Sequence, residues 1–432
     1  MNLTIGFAGM THLGLVSAAA AASKGFEVIG YDTDSKLIDA LNNGDLPVLE
    51  PGLPELVADN RKALSFTADP AALGRCDLLY LAVDVPTDAE GRSDLDAIRR
   101  MIAHVVPVLG REAALVVLSQ VSPGFTRALA MPPERLYYQV ETLVFGRAVQ
   151  RATTPERIIL GCADPEQALP AALASYLAAF NCVVLPMRYE SAEFAKIAIN
   201  CCLVASITVA NTLAELCENI GADWAEIAPA LKLDSRIGSY AYLTPGLGIA
   251  GGNLERDLRT VITLADAEGT DAGVVRAWIA NSTRRKDWTW QVLNETVLAK
   301  KPDARIAILG LAYKENTHST KNSPAIALLD RLRGRMVAVH DPVVSAAVVP
   351  WARAASDPLD TARDADVLVI ATPWPQYHSL AAAELARIMR GRTILDPYRV
   401  LDGKAFAAAG FVYLTLGAAP LVPGDTGLSS QA

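Results

Sequence analysis

Lys196 and Asn200 stand four residues apart inside the apolar stretch 191–217. On a helix that spacing puts an ammonium and a carboxamide on one face. Both groups donate hydrogen bonds, and side by side they can hold an oxygen that carries negative charge. Their neighbours Ala195, Ala198, Ile199, Leu203 and Ile207 are apolar. A lysine snorkelling from a helix edge next to a surface amide has the same spacing, so the pair needs support from elsewhere. A second stretch with chemistry in it lies at the start. Residues 3–8 read as a short strand that runs into Gly9-Met-Thr11-His12-Leu13-Gly14, then a small-residue helix over 15–24 and a strand over 26–31 that ends in Asp32. Strand, glycine turn, helix, strand and acid, in that order, make a dinucleotide unit. The helix N-terminus faces the pyrophosphate and the acid grips the adenosine ribose. Thr11 stands where the middle glycine belongs, but Asp32 follows Gly14 by 18 residues, about where such an acid is needed. Its charge repels a 2′-phosphate, which favours NAD over NADP.

The elements that must position these groups follow the same alternation. Apolar runs at 76–83, 113–118, 157–161 and 181–185 read as buried strands of one sheet. From 189 to about 233 the pattern is helical. A glycine-rich loop over 245–252 leads into Asn253-Leu-Glu-Arg-Asp257 and helical patterning that lasts to about 300. Such a loop is either a connector or the wall of a phosphate or sugar pocket. Strands at 304–310, 337–340, 365–372 and 393–396 restart the first rhythm. The expected fold is α/β, with two Rossmann-like domains joined by a central helical region. The boundaries fall at 1–188, 189–300 and 301–416, with a Gly, Pro and Ser-rich tail over 417–432 expected to be disordered.

Composition narrows the function. The chain has 432 residues, 51% hydrophobic and 20% charged, with a formal charge of −8. That excludes a disordered chain and, with no basic run interleaved with aromatics, a nucleic-acid binder. Cys76, Cys162, Cys182, Cys201, Cys202 and Cys217 form no CxxC pair and read as core residues of a reducing compartment, with no metal site. No signal peptide is evident and no apolar run reaches spanning length, so a cytoplasmic protein without membrane contact is expected.

Many short matches in register give the chain a family resemblance. They include Gly9 and Gly14 with Leu-Val-Ser following, Glu50-Pro-Gly-Leu53, Thr154-Pro-Glu-Arg-Ile-Ile-Leu-Gly161, and Ser191-Ala-Glu-Phe-Ala-Lys196 with Asn200. Asn211, Glu215-Leu-Cys217, Arg236-Ile-Gly238, Leu309-Gly-Leu-Ala-Tyr-Lys314, Thr317 and Ser323-Pro-Ala325 continue the series. In these residues the chain resembles the UDP-glucose/GDP-mannose dehydrogenase family from Leu3 to about Gly403. The resemblance implies an NAD-binding N-terminal domain, a long central helix through which a homodimer forms, and a C-terminal domain for a nucleotide sugar. Family members oxidise the sugar's primary alcohol twice, through an aldehyde and a cysteine thioester. It further implies that Lys196 and Asn200 stabilise charged oxygens, that Asp257 handles protons and that Glu141 joins them. On the cofactor side it points to Gly9, Thr11, His12, Leu13, Gly14 and Asp32. Lys36, Val85, Pro86, Gln120 and Lys321 complete that set. On the substrate side it points to Leu143, Tyr242, Gly248, Gly251, Tyr313 and Lys314, with Arg399 and with Arg236 reaching a partner's site.

The departures cluster on one half of that chemistry. Aligned backwards from Asp257, Asn253 stands where the family has its nucleophilic cysteine, and a carboxamide cannot act as a thiolate. Gln120 replaces the threonine that helps place the hydrolytic water, and Phe145 replaces a second glutamate. Asp84-Val85-Pro86 replaces Gly-Thr-Pro, Lys321 an arginine, and Asp396-Pro-Tyr-Arg399 the family's Asp-Gly-Arg-Asn. The expectation is an NAD-dependent enzyme that performs one two-electron alcohol/carbonyl interconversion. A non-catalytic or redox-neutral nucleotide binder, favoured by Thr11, and a conventional acid-forming dehydrogenase are the alternatives.

Overall fold

The computed structural model describes residues 3–86 and 93–424. The chain forms two compact units, Met1–Ile199 and Asn200–Ala432. The architecture is α/β, with two Rossmann-like domains and a long central helix, Tyr189–Ile220, that runs from the first unit into the second.

Among the described residues the first unit holds an eight-stranded sheet in the order β3-β2-β1-β4-β5-β6-β7-β8. The strands are β1 (Thr4–Ala8), β2 (Glu27–Tyr31), β3 (Leu64–Thr67) and β4 (Leu78–Leu81), then β5 (Ala114–Val117), β6 (Leu136–Gln139), β7 (Arg157–Cys162) and β8 (Val183–Arg188). The interior strands β4 and β5 are buried along their whole length, the pattern of a parallel sheet covered on both faces. One pairing departs from the expected parallel sheet: β6 and β7 run antiparallel. Between them lies only the six-residue helix Ala148–Thr153. The buried Glu50 carboxylate takes the Gly146 and Ala148 N–H groups at 3.1 and 2.8 Å, which pins that helix beside its own loop. A right-handed crossover to a parallel strand needs a longer connection laid over the sheet.

The first helix, His12–Ser23, starts three residues earlier than its pattern suggests, inside the glycine motif. Gly14 is what allows this. A Cβ there would lie 1.7 Å from the Gly9 carbonyl oxygen, so no other residue lets the helix approach the turn so closely.

In the second unit a six-stranded sheet is ordered β11-β10-β9-β12-β13-β14. Its strands are β9 (Ile306–Leu309), β10 (Val337–His340), β11 (Arg353–Ala354), β12 (Val367–Ile370), β13 (Thr393–Leu395) and β14 (Val412–Leu414), all parallel. The helices Trp224–Leu233, Asn253–Glu268 and Gly273–Lys286 belong to the same unit. Glu218, near the end of the long helix, accepts hydrogen bonds from Arg285, from the Trp288 indole and from the Gly417 N–H at 2.9–3.0 Å. The tail expected to be disordered from 417 is therefore fixed over its first residues. Gly417 also accepts from the Trp224 N–H at 2.8 Å, and Tyr413 and Leu421 exchange two backbone bonds at 2.9 Å. Residues 425–432 of that tail lie outside the described residues.

Two further expectations need correction. The long helix contains a window apolar enough to cross a membrane by length and composition, because no charged residue lies between Lys196 and Glu215. A third of that window is buried, with Ala210, Ala214 and Cys217 packed against Trp224 and Leu243. The cysteines are not all core residues: Cys76, Cys162 and Cys217 are buried, whereas Cys202 is exposed.

Asp223 caps the helix Trp224–Leu233 through the Ala225 N–H at 2.8 Å and takes two bonds from Arg399, at 2.6 and 3.1 Å. Burial alone would raise its pKa, but the Arg399 guanidinium and the Ala225 N–H hold it below the usual aspartate range. A depressed carboxylate stabilises the fold above its unfolded pKa and loses that contribution as pH falls through the folded one. All six tryptophans lie in the second unit, so their fluorescence in urea reports that unit alone. Asp223→Ala is expected to cost about 1–3 kcal/mol at neutral pH, and the difference from wild type is expected to shrink below about pH 4.

Candidate active site

In the first unit the glycine turn leaves β1 at Ala8. Gly9 has φ +100°, a value that a side chain would strain, and its N–H donates to the Tyr31 carbonyl at 2.8 Å. Asp32, at the end of β2, accepts from the Met10 and Asp34 N–H groups at 2.7 and 3.0 Å. One carboxylate thus ties the glycine turn to the following loop, and Lys36 lies exposed beyond it. Thr11 is the N-cap of the first helix and makes no side-chain capping bond. His12 and Leu13 are buried. The His12 imidazole lies 3.0 Å from Glu50 and stacks on Phe145, with ring centroids 4.1 Å apart. Asp84, Val85 and Pro86 follow β4, and Gln120 follows β5.

The first unit also fixes the front of the long helix. Lys196 Nζ sits 3.3 Å from Glu141, and both side chains are largely withdrawn from water, at 12% and 16% exposure. Glu141 accepts at its other oxygen from the Leu143 N–H, so Leu143 sets the carboxylate that sets the lysine. One turn earlier, Glu193 is fully buried and accepts from the Gly124 and Thr126 N–H groups at 2.6 and 2.8 Å. Burial pushes its pKa up, and those donors pull against it.

In the second unit the Asn200 amide donates to Asp257 at 2.5 Å, with 7% and 1% of the two residues exposed. The Arg256 guanidinium adds a contact to the same carboxylate at 3.3 Å. Asp257 lies one turn into the helix Asn253–Glu268, and Asn253 is its exposed first residue. Cys201, next to Asn200, is the thiol whose pKa feels Asp257. Burial first, and then that carboxylate, push it up to about 11. A thiol so raised is protonated at neutral pH and weakly nucleophilic.

The glycine loop before Asn253 is held from several sides. Asn211 of the long helix accepts from the Gly246 N–H at 2.8 Å, and Ser282 accepts from the Ile249 N–H at 2.7 Å. A Cβ on Gly248 would meet the Ser282 carbonyl at 2.4 Å. Gly251 packs on the Tyr313 ring, Gly252 on the Lys321 side chain, and the Gly251 N–H donates to the Lys321 carbonyl at 3.1 Å. Asn322 donates to the Gly251 carbonyl at 2.7 Å. Tyr313, Lys321 and Gly251 are therefore one cluster, with the Lys314 ammonium 5.9 Å from the Tyr313 ring centroid, while Gly248 of the same loop packs on Ser282. Three other expected substrate residues have surroundings of their own. Arg236 is exposed and paired with Asp234 at 2.6 Å, Tyr242 is half exposed, and Arg399 is engaged by Asp223.

Reading the sequence left out the His12–Glu50 pair, the Glu193 anchor and the nearness of Cys201 to Asp257. Glu50-Pro-Gly-Leu53 and Glu193 were legible as motif members, but a motif does not say which N–H groups a carboxylate will meet. Among the described residues, no group of three His, Cys, Asp or Glu could hold a metal ion.

Comparison with known proteins agrees with this geometry. Residues 3–179 match the NAD binding domain of the UDP-glucose/GDP-mannose dehydrogenase family, 190–283 its central domain and 307–403 its UDP binding domain. A UDP-glucose 6-dehydrogenase of Pseudomonas aeruginosa is 30% identical, over 95% of this chain and 96% of that protein. The UDP-glucose 6-dehydrogenase AglM of Haloferax volcanii is 31% identical over 91% and 96%. Among solved structures, a UDP-glucose dehydrogenase of Pyrobaculum islandicum superposes with a TM-score of 0.85 at 26% identity, covering 97% of this chain and 98% of that one. The chain belongs to the UDP-glucose/GDP-mannose dehydrogenase family, and is an NAD-dependent dehydrogenase acting on a CH–OH group.

Proposed function

We propose that this enzyme performs one two-electron interconversion of an alcohol and a carbonyl on a nucleotide sugar, with no covalent step. Asn253 carries the reading. It stands at the thioester-forming position and has no ionisable nucleophile. Cys201 does not replace it readily, since its thiol is raised to about 11.

The glycine turn from Gly9 to Gly14 and the Asp32 carboxylate fit the cofactor's adenosine half. NAD held there would supply the acceptor for the hydride of the carbinol carbon. Lys196 and Asn200, one turn apart on one helix, act on the substrate oxygen. The Asn200 amide is oriented by Asp257 and has a second N–H for the developing alkoxide. The hydroxyl proton passes through a water to Asp257, or to Lys196 when that amine is in its neutral form. Hydride and proton both leave, the carbon–oxygen double bond forms, and no acyl group is made. Lys314 and Tyr313 would serve the nucleotide sugar, and Glu141 holds Lys196 in register.

The reading extends to a homodimer through the long helix. Val209, Leu213, Leu216 and Ile220 recur at intervals of four, three and four residues, with exposures of 51%, 41%, 52% and 62%. An apolar stripe of that regularity suits a second copy of the same helix. The double variant Leu213→Asp/Leu216→Asp is expected to sediment as a monomer in analytical ultracentrifugation while the wild type sediments as a dimer. An unchanged mass would reject the stripe as the interface.

The chemistry is tested by supplying NAD with a panel of nucleotide sugars and counting NADH per substrate consumed. One equivalent, with an aldehyde or ketone trapped by hydroxylamine, is expected. Two equivalents with a carboxylic acid would contradict it.

A further inference from the structure

Four arginines converge on one cleft at the edge of the second sheet where its strands begin. Arg305 precedes β9, Arg335 lies just before β10, Arg353 opens β11, and Arg363 follows the helix Pro358–Ala362. With Trp351 and Thr361 they line a cleft of about 720 Å³, and no Asp or Glu is part of the lining. Every lining residue belongs to the second unit. Tyr313 and Lys314 follow the opposite, C-terminal end of β9, the end at which open α/β sheets bind their ligands. The four residues of β9, roughly 13 Å of extended chain, run from one end to the other.

The guanidinium groups are only partly spent on their own chain. Arg335 gives one N–H to the Pro302 carbonyl at 2.6 Å. Arg353 gives one to the Asp360 carboxylate at 3.0 Å and one to the Asp360 carbonyl at 2.7 Å. Arg305 stands 3.9 Å from the Asp364 carboxylate, beyond hydrogen-bond reach. Arg363 is exposed and, among the described residues, its side chain makes no ion pair or hydrogen bond. A guanidinium has five N–H donors, so most of them remain for a ligand. The buried indole N–H of Trp351 also has no acceptor among the described residues. Four like charges gathered on one cleft repel one another, and a multiply charged anion between them relieves that repulsion. The gathering is local, since the whole chain carries a formal charge of −8.

We propose that this cleft binds a small oligophosphate, either inorganic triphosphate or the triphosphate of a nucleoside, at a site of its own. Guanidinium forks pair with phosphate oxygens two by two, and several of them together match several negative charges. The volume is that of a small-molecule site and too small for a macromolecular chain. Trp351 puts an aromatic side chain in the lining, which a nucleoside's base can use and an inorganic chain cannot. The proposal is independent of how many hydrides the sugar loses.

The test titrates inorganic triphosphate, ATP and NAD into the full-length wild type and the double variant Arg305→Gln/Arg363→Gln by calorimetry at low ionic strength. Circular dichroism checks that the variant is folded. Triphosphate is expected to bind the wild type and to bind the variant about a hundredfold more weakly, about tenfold for each arginine, with NAD affinity unchanged. A parallel loss of ATP affinity assigns the nucleoside triphosphate, and ATP affinity that is kept assigns the inorganic chain; either supports the cleft. No binding of triphosphate to the wild type, or equal affinity in the folded variant, would overturn the proposal. An equal fall in NAD affinity would also overturn it, since the loss would then not be confined to the cleft.

Discussion

Asp257 has 1% of its surface exposed, and a carboxylate so withdrawn from water needs partners. The Asn200 amide at 2.5 Å and the Arg256 guanidinium at 3.3 Å supply them. That requirement fixes the helix Asn253–Glu268 against the long helix and so sets where Asn253 and the glycine loop stand. The first unit repeats the device. Glu193, Glu141 and Glu50 are each withdrawn from solvent and each satisfied by backbone N–H groups from loops that carry site residues. Within each unit, polar side chains of the long helix, Glu193 and Lys196 in the first and Asn200 and Glu218 in the second, are met by neighbouring segments. Leaving any one of those carboxylates without its donors would cost several kcal/mol in the order-of-magnitude sense.

Much of the candidate site was legible in the sequence because residue type and spacing are themselves chemical facts. Lys196 and Asn200 at a four-residue interval predict a shared helical face, and the helix Tyr189–Ile220 supplies it. Gly9, Gly14 and Asp32 predict a dinucleotide turn, and Gly9 has the positive φ that turn requires. What the spacing could not convey is which acceptor meets which donor. The motif that holds Arg399 gives no hint that its guanidinium meets Asp223, 176 residues away in sequence. Cys201 is 56 residues from Asp257 in sequence and feels its charge in space.

The fold was legible where strands are apolar on both faces. The runs that became β4, β9 and β12 are buried at every residue, and a continuous apolar run leaves little else to form. The short strands β3, β6, β11 and β14 were missed. Leu64-Ser-Phe-Thr67 alternates buried and exposed positions over only four residues, too few for a period to stand out. Arg353–Ala354 is a two-residue edge strand, exposed at both positions, defined by its pairing with β10 and not by its own composition. The antiparallel β6/β7 pair depends on how Glu50 pins a loop about a hundred residues away in sequence, a tertiary effect that local pattern does not encode.

The proposed chemistry uses the groups that would hold a charged oxygen, Lys196 and Asn200, and no sulfur to capture an aldehyde. The most direct measurement is intact-protein mass spectrometry of the full-length enzyme, acid-quenched during turnover with NAD and a nucleotide sugar it oxidises. The account predicts unmodified protein at every time point. A mass increase equal to the acyl group, localised by peptide mapping to Cys201 or any other cysteine, would contradict it.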